Sequence, residues 1–575
     1  MLEPATILPG PTRTMPRPLA FLCRMLTEMF AIDVRALAAF RIAMGLLLLV
    51  NLGCRLVDLD AHYTDHGVMP RQARLAIYQW RGMEDTGRYP WSLHLLNGSA
   101  WSQEVLFAVS AVFAVWLLLG YRTRLSTCAS WLLLISLGGR NPMIVDGGEA
   151  IWEAMLFWSM FVPLGAAWSI DRRLRPPLTP PPQRILSCAT AALLVQVAMM
   201  YFFNGLFKTA PMWDRDFTAV YYVMNLSMYA THFGESLRQF PGLLKVLTAG
   251  TFFLELCGSL LAFVPLWKGL FRRLAIVGFT LLHLGFVLTM TLGIFPWICI
   301  ACWLLFWPQS WWDRLSRVRL FGRLAARLER RAAPYLNAVW FRNPERPRLR
   351  SSRLASTLVV LLGGIVLLWN VRELQRQRKI DRDAALAATE NGPTQKRSEA
   401  EQGEILPDSF DLFMRGLGFD QRWCLFAPQV FNEEGYFTME GTLAGGQIVN
   451  LWRPGLNLPA TRAEAVEQAY VNQRWRNYLM ALAMPENAFQ KTYLSDWLRW
   501  RWEQQLHPNE PTQKIIKVRI ILHVEKSPEP GQPRGEPAET IWVWRDPFVP
   551  DPTIQDIPPP VLPSDTDTTV PEPVK

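Results

Sequence analysis

The chain has 575 residues, 50% of them apolar, with 25 Trp and 31 Phe. That composition is too hydrophobic for an ordinary soluble enzyme of this length and points to a membrane protein. The formal charge of +10 resides mainly in arginines between apolar runs, a membrane pattern that argues against a nucleic-acid partner.

Residues 1–35 carry arginines but no short apolar core followed by a small-residue cleavage site. The first apolar run is therefore expected to stay as an anchor. About nine runs approach the ~20 residues that cross a bilayer as helix. They lie at 36–55, 104–120, 124–139, 149–166, 187–207, 246–266, 273–292, 294–309 and 355–370. With the N-terminus inside, every inner segment is basic: Arg13, Arg17, Arg24 and Arg35; Arg122 and Arg124; Arg172, Arg173, Arg175 and Arg184; Lys268, Arg272 and Arg273; and the arginine-rich stretch 313–354. This is the positive-inside pattern. It predicts a multi-pass protein of the cell (inner) membrane with a cytoplasmic N-terminus. The odd count puts everything after the last span, 355–371, on the periplasmic or extracellular side. Arg314 to Arg331 reads as a basic amphipathic helix on the inner face.

Residues 372–404 are polar, a linker or an exposed helix. A soluble α+β domain is expected over 405–545. Its stretch 435–452 reads as a hairpin turning at Gly445-Gly446, and 514–526 and 539–545 as further strands. Residues 462–506 read as tryptophan-rich helix, and the proline-rich acidic tail 546–575 as disordered. The expected fold is thus an α-helical polytopic membrane protein with an external α+β domain.

Polar groups lie in or beside the apolar runs: Arg41, Asn51, Glu149, Glu153, Asn204, Lys208, Glu255 and His283. Lipid supplies no partners, so they must find them within the protein. Either they pair between helices or they line a cavity. Lys208, at the mouth of the run ending at Phe207, either snorkels to the headgroups or faces a cavity as a base. Cys299 and Cys302 form a CxxC inside an apolar run, where a thiolate has no support. His62, Asp65 and His66 read as a polar loop, and no metal site is expected.

Several stretches, in order, resemble the HTTM family, the membrane domain shared with vitamin K-dependent gamma-glutamyl carboxylase. FRIAMGLLLLVN (40–51) is similar to the family's first helix, with Asn51 where the carboxylase has an acid. YTDHGVMPR (63–71) resembles a bacterial outer loop, and WSID (168–171) follows the fourth span. YFFNGLFKTAPMW (201–213) resembles the segment that holds the carboxylase's base, with Lys208 matching that lysine and Trp213 five residues on. FFLELCG (252–258) places Glu255 where the carboxylase has an aspartate. LLHLGFVLTMTLGIF (281–295) places His283 ten residues before Gly293. GFDQRWCLFAP (418–428) looks like a segment that bacterial members carry after the last span.

The resemblance covers about the first 312 residues and implies specific chemistry. In the carboxylase the lysine deprotonates vitamin K hydroquinone; oxygen then makes it a strong base, a glutamate loses its γ-proton, and carbon dioxide adds. By resemblance, Lys208, His283 and Glu255 are catalytic candidates. Arg41, Asn51, Glu149, Glu153 and Trp213 are candidates for the cavity of a vitamin K or menaquinone hydroquinone. The partners implied are the bilayer and a protein or peptide substrate on the outer side. One departure stands out: GGRNPMIVDGGEA (138–150) has no histidine where the carboxylase has one. Quinol oxygenation could persist without carboxylation, or Asp146 and Glu149 could mark another substrate. The competing reading is a non-enzymatic anchor or lipid-binding scaffold that presents a partner-binding external domain.

Overall fold

A computed structural model describes residues 17–81, 91–174, 182–317, 327, 351–389, 406–407, 409–529 and 531–545. Most of the expected amphipathic helix at 314–331 and the whole of the tail 546–575 lie outside these residues. Helix α1 (Val34–Leu56) is followed by α2 (Ala100–Leu119), α3 (Thr123–Arg140), α4 (Gly147–Ser159) and α5 (Cys188–Phe207). Next come α6 (Pro241–Leu261), α7 (Leu270–Thr289), α8 (Phe295–Trp303) and α9 (Arg353–Thr389). Six of these, α1, α2, α5, α6, α7 and the first 31 residues of α9, are long and apolar enough to cross a membrane.

The other three expected runs fall on α3, α4 and α8. Helix α4 has 13 residues, a rise of about 20 Å against a hydrocarbon core of ~30 Å. It is buried from Gly148 to Ser159, so its apolar residues meet protein. Residues 372–389, expected as a linker or an exposed helix, continue α9 without a break. Its buried Arg372 pairs with Asp411 at the base of the C-terminal region.

The two ends of α1 touch different parts of the chain. At its start, Val34 N donates to Gln183 O and Arg35 pairs with Asp313 at 2.8 Å. Near its end, Arg55 and Asn51 meet Arg474 and Glu149. The C-terminal region therefore sits at the opposite end of this helix from the N-terminal segment.

That region holds a four-stranded antiparallel sheet. Strand β1 (Glu433–Leu443) lies between β2 (Ile448–Asn450) and β3 (Ile515–Lys526), and β4 (Ala538–Arg545) forms the far edge. Buried Phe437, Met439, Gly441 and Leu443 alternate with half-buried neighbours, the period of a one-sided strand. The hairpin turns through Gly446 at φ +82°, a conformation that favours glycine. Helices α10 (Arg462–Ala469), α11 (Gln473–Ala483) and α12 (Gln490–Trp500) pack beside it.

The link between α9 and the sheet enters the helical bundle. Phe419 meets Phe157 edge-on at 4.8 Å, and Gln421 accepts from Gln196 at 2.8 Å. Trp423 is fully buried. Membrane bundle and C-terminal region thus share one core.

Candidate functional site

Lys208 caps the C-terminus of α5, so its side chain leaves the helix where the backbone turns away. It does not snorkel: it is 4% exposed. Its Nζ donates to Glu255 Oε2 at 2.6 Å and to Leu425 O at 3.4 Å. It also lies 4.6 Å from the centre of the Trp213 ring. Asn204 Nδ2 donates to the same Glu255 oxygen at 3.0 Å. Asn204 and Lys208 are four apart and share a helix face.

Glu255 owes its position to a local irregularity. Residues Leu254–Gly258 form a π turn within α6, a device that often marks functional sites in helices. Across from it, a Cβ on Gly205 would lie 3.1 Å from the Leu256 backbone. Glycine at 205 gives α5 and α6 the close approach at which this ion pair forms.

His283 on α7 completes the group. Its Nε2 is 2.6 Å from Tyr201 Oη, which accepts from Trp303 Nε1 at 3.2 Å. The indole can only donate, so the phenol oxygen is its acceptor. His283 Nδ1 is buried with no hydrogen-bond partner among the described residues.

Lys208, Trp213, Glu255 and His283 line one cavity of about 660 Å³. Most of its wall is apolar, from α5, α6 and α7 and the segment between α5 and α6, and Lys208, Glu255 and Asn204 form a hydrogen-bonded cluster on it. Val246 and Leu281 line it and are 69% and 62% exposed. The cavity is therefore open between α6 and α7. Added Cβ atoms at Gly250 and Gly285 would meet nothing within 4 Å, consistent with a gap there.

The C-terminal region closes the other side. Cys424, Leu425, Phe426, Gln473, Arg476 and Asn477 all contribute to the lining. Trp213 Nε1 donates to Phe426 O at 3.0 Å, and Leu425 N donates to Asn204 Oδ1 at 2.9 Å. Asp146 caps α4 through Gly148 N and accepts from Gln473. Burial, then the nearby Glu149 carboxylate, holds its acid above the usual carboxylate range.

Residues 30–311 match the family model for the HTTM domain. This chain carries an HTTM domain. Compared with the curated proteins and with the solved structures, it has no match in either.

The matched HTTM domain contains all eight candidate residues, and the structure separates them. Arg41, Asn51, Glu149 and Glu153 do not line the Lys208 cavity. Arg41 donates to Leu117 O, Leu118 O and Trp168 O at 2.6–2.7 Å, tying α1 to the far end of α2. Glu149 Oε1 lies between Arg55 at 2.6 Å and Arg474 at 2.7 Å. Asn51 Oδ1 accepts from Arg474 at 2.8 Å. This buried group joins the HTTM domain to α11. Glu153 is fully buried beside Gly418, where an added Cβ would lie 2.7 Å from its Oε2.

The stretch around His62 also differs from the expected polar loop. His62 lies on a short helix, Leu59–Tyr63, and is buried 4.3 Å from Trp475. His66 stacks on Trp500 at 5.2 Å. Both histidines form the seat of the C-terminal helices.

Polar lining residues missed from sequence include Tyr201, Gln473, Arg476 and Asn477, while Asp146 was read only as a possible mark of another substrate. Tyr201 looked like one aromatic among many. Asp146 carried a helix-cap signal, and the contacts of α11 span more than 300 residues of sequence.

Proposed function

We propose that the HTTM domain binds a membrane-soluble hydroquinone, of the vitamin K or menaquinone type, and that Lys208 acts as its base. The observation that carries this reading is the meeting of Lys208, Glu255 and His283 in one largely apolar cavity open between two apolar helices. Such a cavity suits a flat ring with a prenyl tail: Lys208, Glu255 and Asn204 offer a polar cluster to the ring and the tail has an exit towards lipid. When bound, the hydroquinone supplies the chemistry with oxygen and, in a carboxylase, the power to prepare a carbon for carbon dioxide.

The protein's own groups have separable tasks. A lysine that keeps its proton cannot serve as a base. Paired with Glu255 in a dry site, the proton can pass to the carboxylate, leaving a neutral amine and a neutral acid with no change in net charge. The amine then takes a proton from a ligand hydroxyl. In this reading His283, on the cavity wall, steadies the ligand ring. Trp213, Leu425 and Phe426 keep water from the amine.

The outward orientation is part of the proposal. The two termini of the bundle lie at opposite ends of α1, which requires an odd number of crossings. Helix α3, added to the six long apolar helices, makes the count odd. At the start of α3 Thr123 N donates to Asp171 at 2.8 Å, and at its end Arg140 donates to Thr64 O at 2.9 Å. The basic segments at the N-terminal end favour the cytoplasm for that side. The C-terminal region, with any peptide substrate, then faces outward.

Purified protein supplied with reduced vitamin K or menaquinol tests the reading. The expected result is quinone epoxide from the wild type and none from Lys208→Ala. No turnover with any quinol, or equal turnover in the variant, would overturn it and favour the non-enzymatic scaffold.

A further inference from the structure

A second cavity, of about 610 Å³, lies away from Lys208, at the end of α1 and the start of α2. Its walls are unlike those of the first. Asp58, Asp60 and Glu104 contribute carboxylates, and Arg453 and Arg501 contribute guanidiniums. Trp475, Trp497 and Trp500 provide aromatic surface.

The charged groups share this space without pairing across it. Among the described ion pairs, none involves any of the five. Asp58 accepts from Asn472 at 2.7 Å, and Arg453 Nε donates to Gln468 O at 3.0 Å. Arg501 reaches only Trp452 O, at 3.5 Å, and lies 5.3 Å from the Trp497 ring centre. Three acids and two arginines facing a common gap match a ligand that carries both a cation and an anion. Carboxylates suit a primary ammonium, which donates hydrogen bonds, and the arginine fork suits phosphate.

The location narrows the source. Leu56 and Val57 line the cavity and are 48% and 79% exposed at the end of a helix long enough to cross the membrane. Ala100 and Glu104, from the first turns of α2, form the neighbouring wall. Acyl chains running along these helices would bring a headgroup to the cavity, beside Trp500, a residue type common at membrane interfaces.

We propose that this cavity holds the headgroup of a zwitterionic phospholipid with a primary ammonium, the acids taking the ammonium and Arg453 and Arg501 the phosphate. Because Trp475, Arg453 and Arg501 belong to the C-terminal region, the lipid would hold that region against the bilayer.

The full chain in detergent, given equal amounts of phosphatidylethanolamine, phosphatidylcholine and phosphatidylglycerol of matched chains, tests this by native mass spectrometry. The expected result is retention of phosphatidylethanolamine over the other two by about fivefold or more. Asp60→Asn with Glu104→Gln should abolish the preference for ethanolamine over choline. Both side chains are exposed, so folding does not depend on them. Arg453→Gln with Arg501→Gln should weaken retention of all three lipids. Equal retention by the wild type, or an unchanged preference in the acid variants, would overturn the proposal. So would a soluble zwitterionic peptide that binds through the same residues while the lipids show no preference. None of these outcomes depends on Lys208.

Discussion

Removing one member of the Lys208–Glu255 pair should cost far more than removing both. The two charges are 2.6 Å apart, with side chains 2% and 6% exposed. Lys208→Met leaves Glu255 in an apolar cavity with Asn204 donating to it. Breaking a buried pair in this way costs about 3–5 kcal/mol, whereas replacing both members by apolar residues is often neutral or stabilising. Protonation of the orphaned acid relieves part of the cost. The double variant Lys208→Met/Glu255→Leu should therefore be close to wild type, with a coupling of about 3 kcal/mol in a double-mutant cycle. Unfolding in detergent by urea or heat, on wild type, both singles and the double, measures it. Additive losses, with coupling below about 0.5 kcal/mol, would refute the buried-pair argument.

Three further outcomes follow from the geometry. Gly205→Ala should push α5 from α6, cost about 1–3 kcal/mol in unfolding experiments and weaken quinone binding; unchanged stability and binding would show that the close approach is not needed. Arg474→Met should leave Glu149 with Arg55 alone and loosen α11, so limited proteolysis should release the C-terminal region faster than in wild type. His62, outside the spans, is pushed down to about 3 by burial and by Arg474 and Arg55. Its neutral form is the folded one, so the unfolded chain binds more protons between the two values, and stability falls as pH drops below about 6.5. The loss has a limiting slope of about 1.4 kcal/mol per pH unit. His62→Phe should flatten that part of the pH–stability profile; an identical profile would contradict the assignment.

What the sequence could reveal depended on how local each signal was. Lys208, Glu255 and His283 stand out because each is a polar group set in an apolar run, and the structure brings them to one cavity. Arg41, Asn51 and Glu149 carry the same local signature but tie helices and domains together. A buried polar group looks alike in sequence whether it meets a ligand or another helix. The hairpin at Gly446 and the strand alternation of β1 were readable because their period is set by adjacent residues. The closure of the cavity by Leu425, Phe426, Gln473 and Arg476 was not readable. It arises from packing between segments some 200 residues apart or more, which leaves no periodic trace. Helices α4 and α8 were expected as full spans because their apolar residues suit a buried bundle interior as well as lipid.

The central claim is that the cavity beside Lys208 receives a quinone through the gap between α6 and α7. A photoreactive menaquinone analogue, cross-linked to the full chain in a lipid bilayer and mapped by peptide mass spectrometry, tests it directly. The account predicts labels on 246–255 and 281–290, displaced by excess menaquinone and reduced when Gly250→Trp fills the gap. Labels concentrated on other helices, or unaffected by menaquinone and by Gly250→Trp, would contradict it.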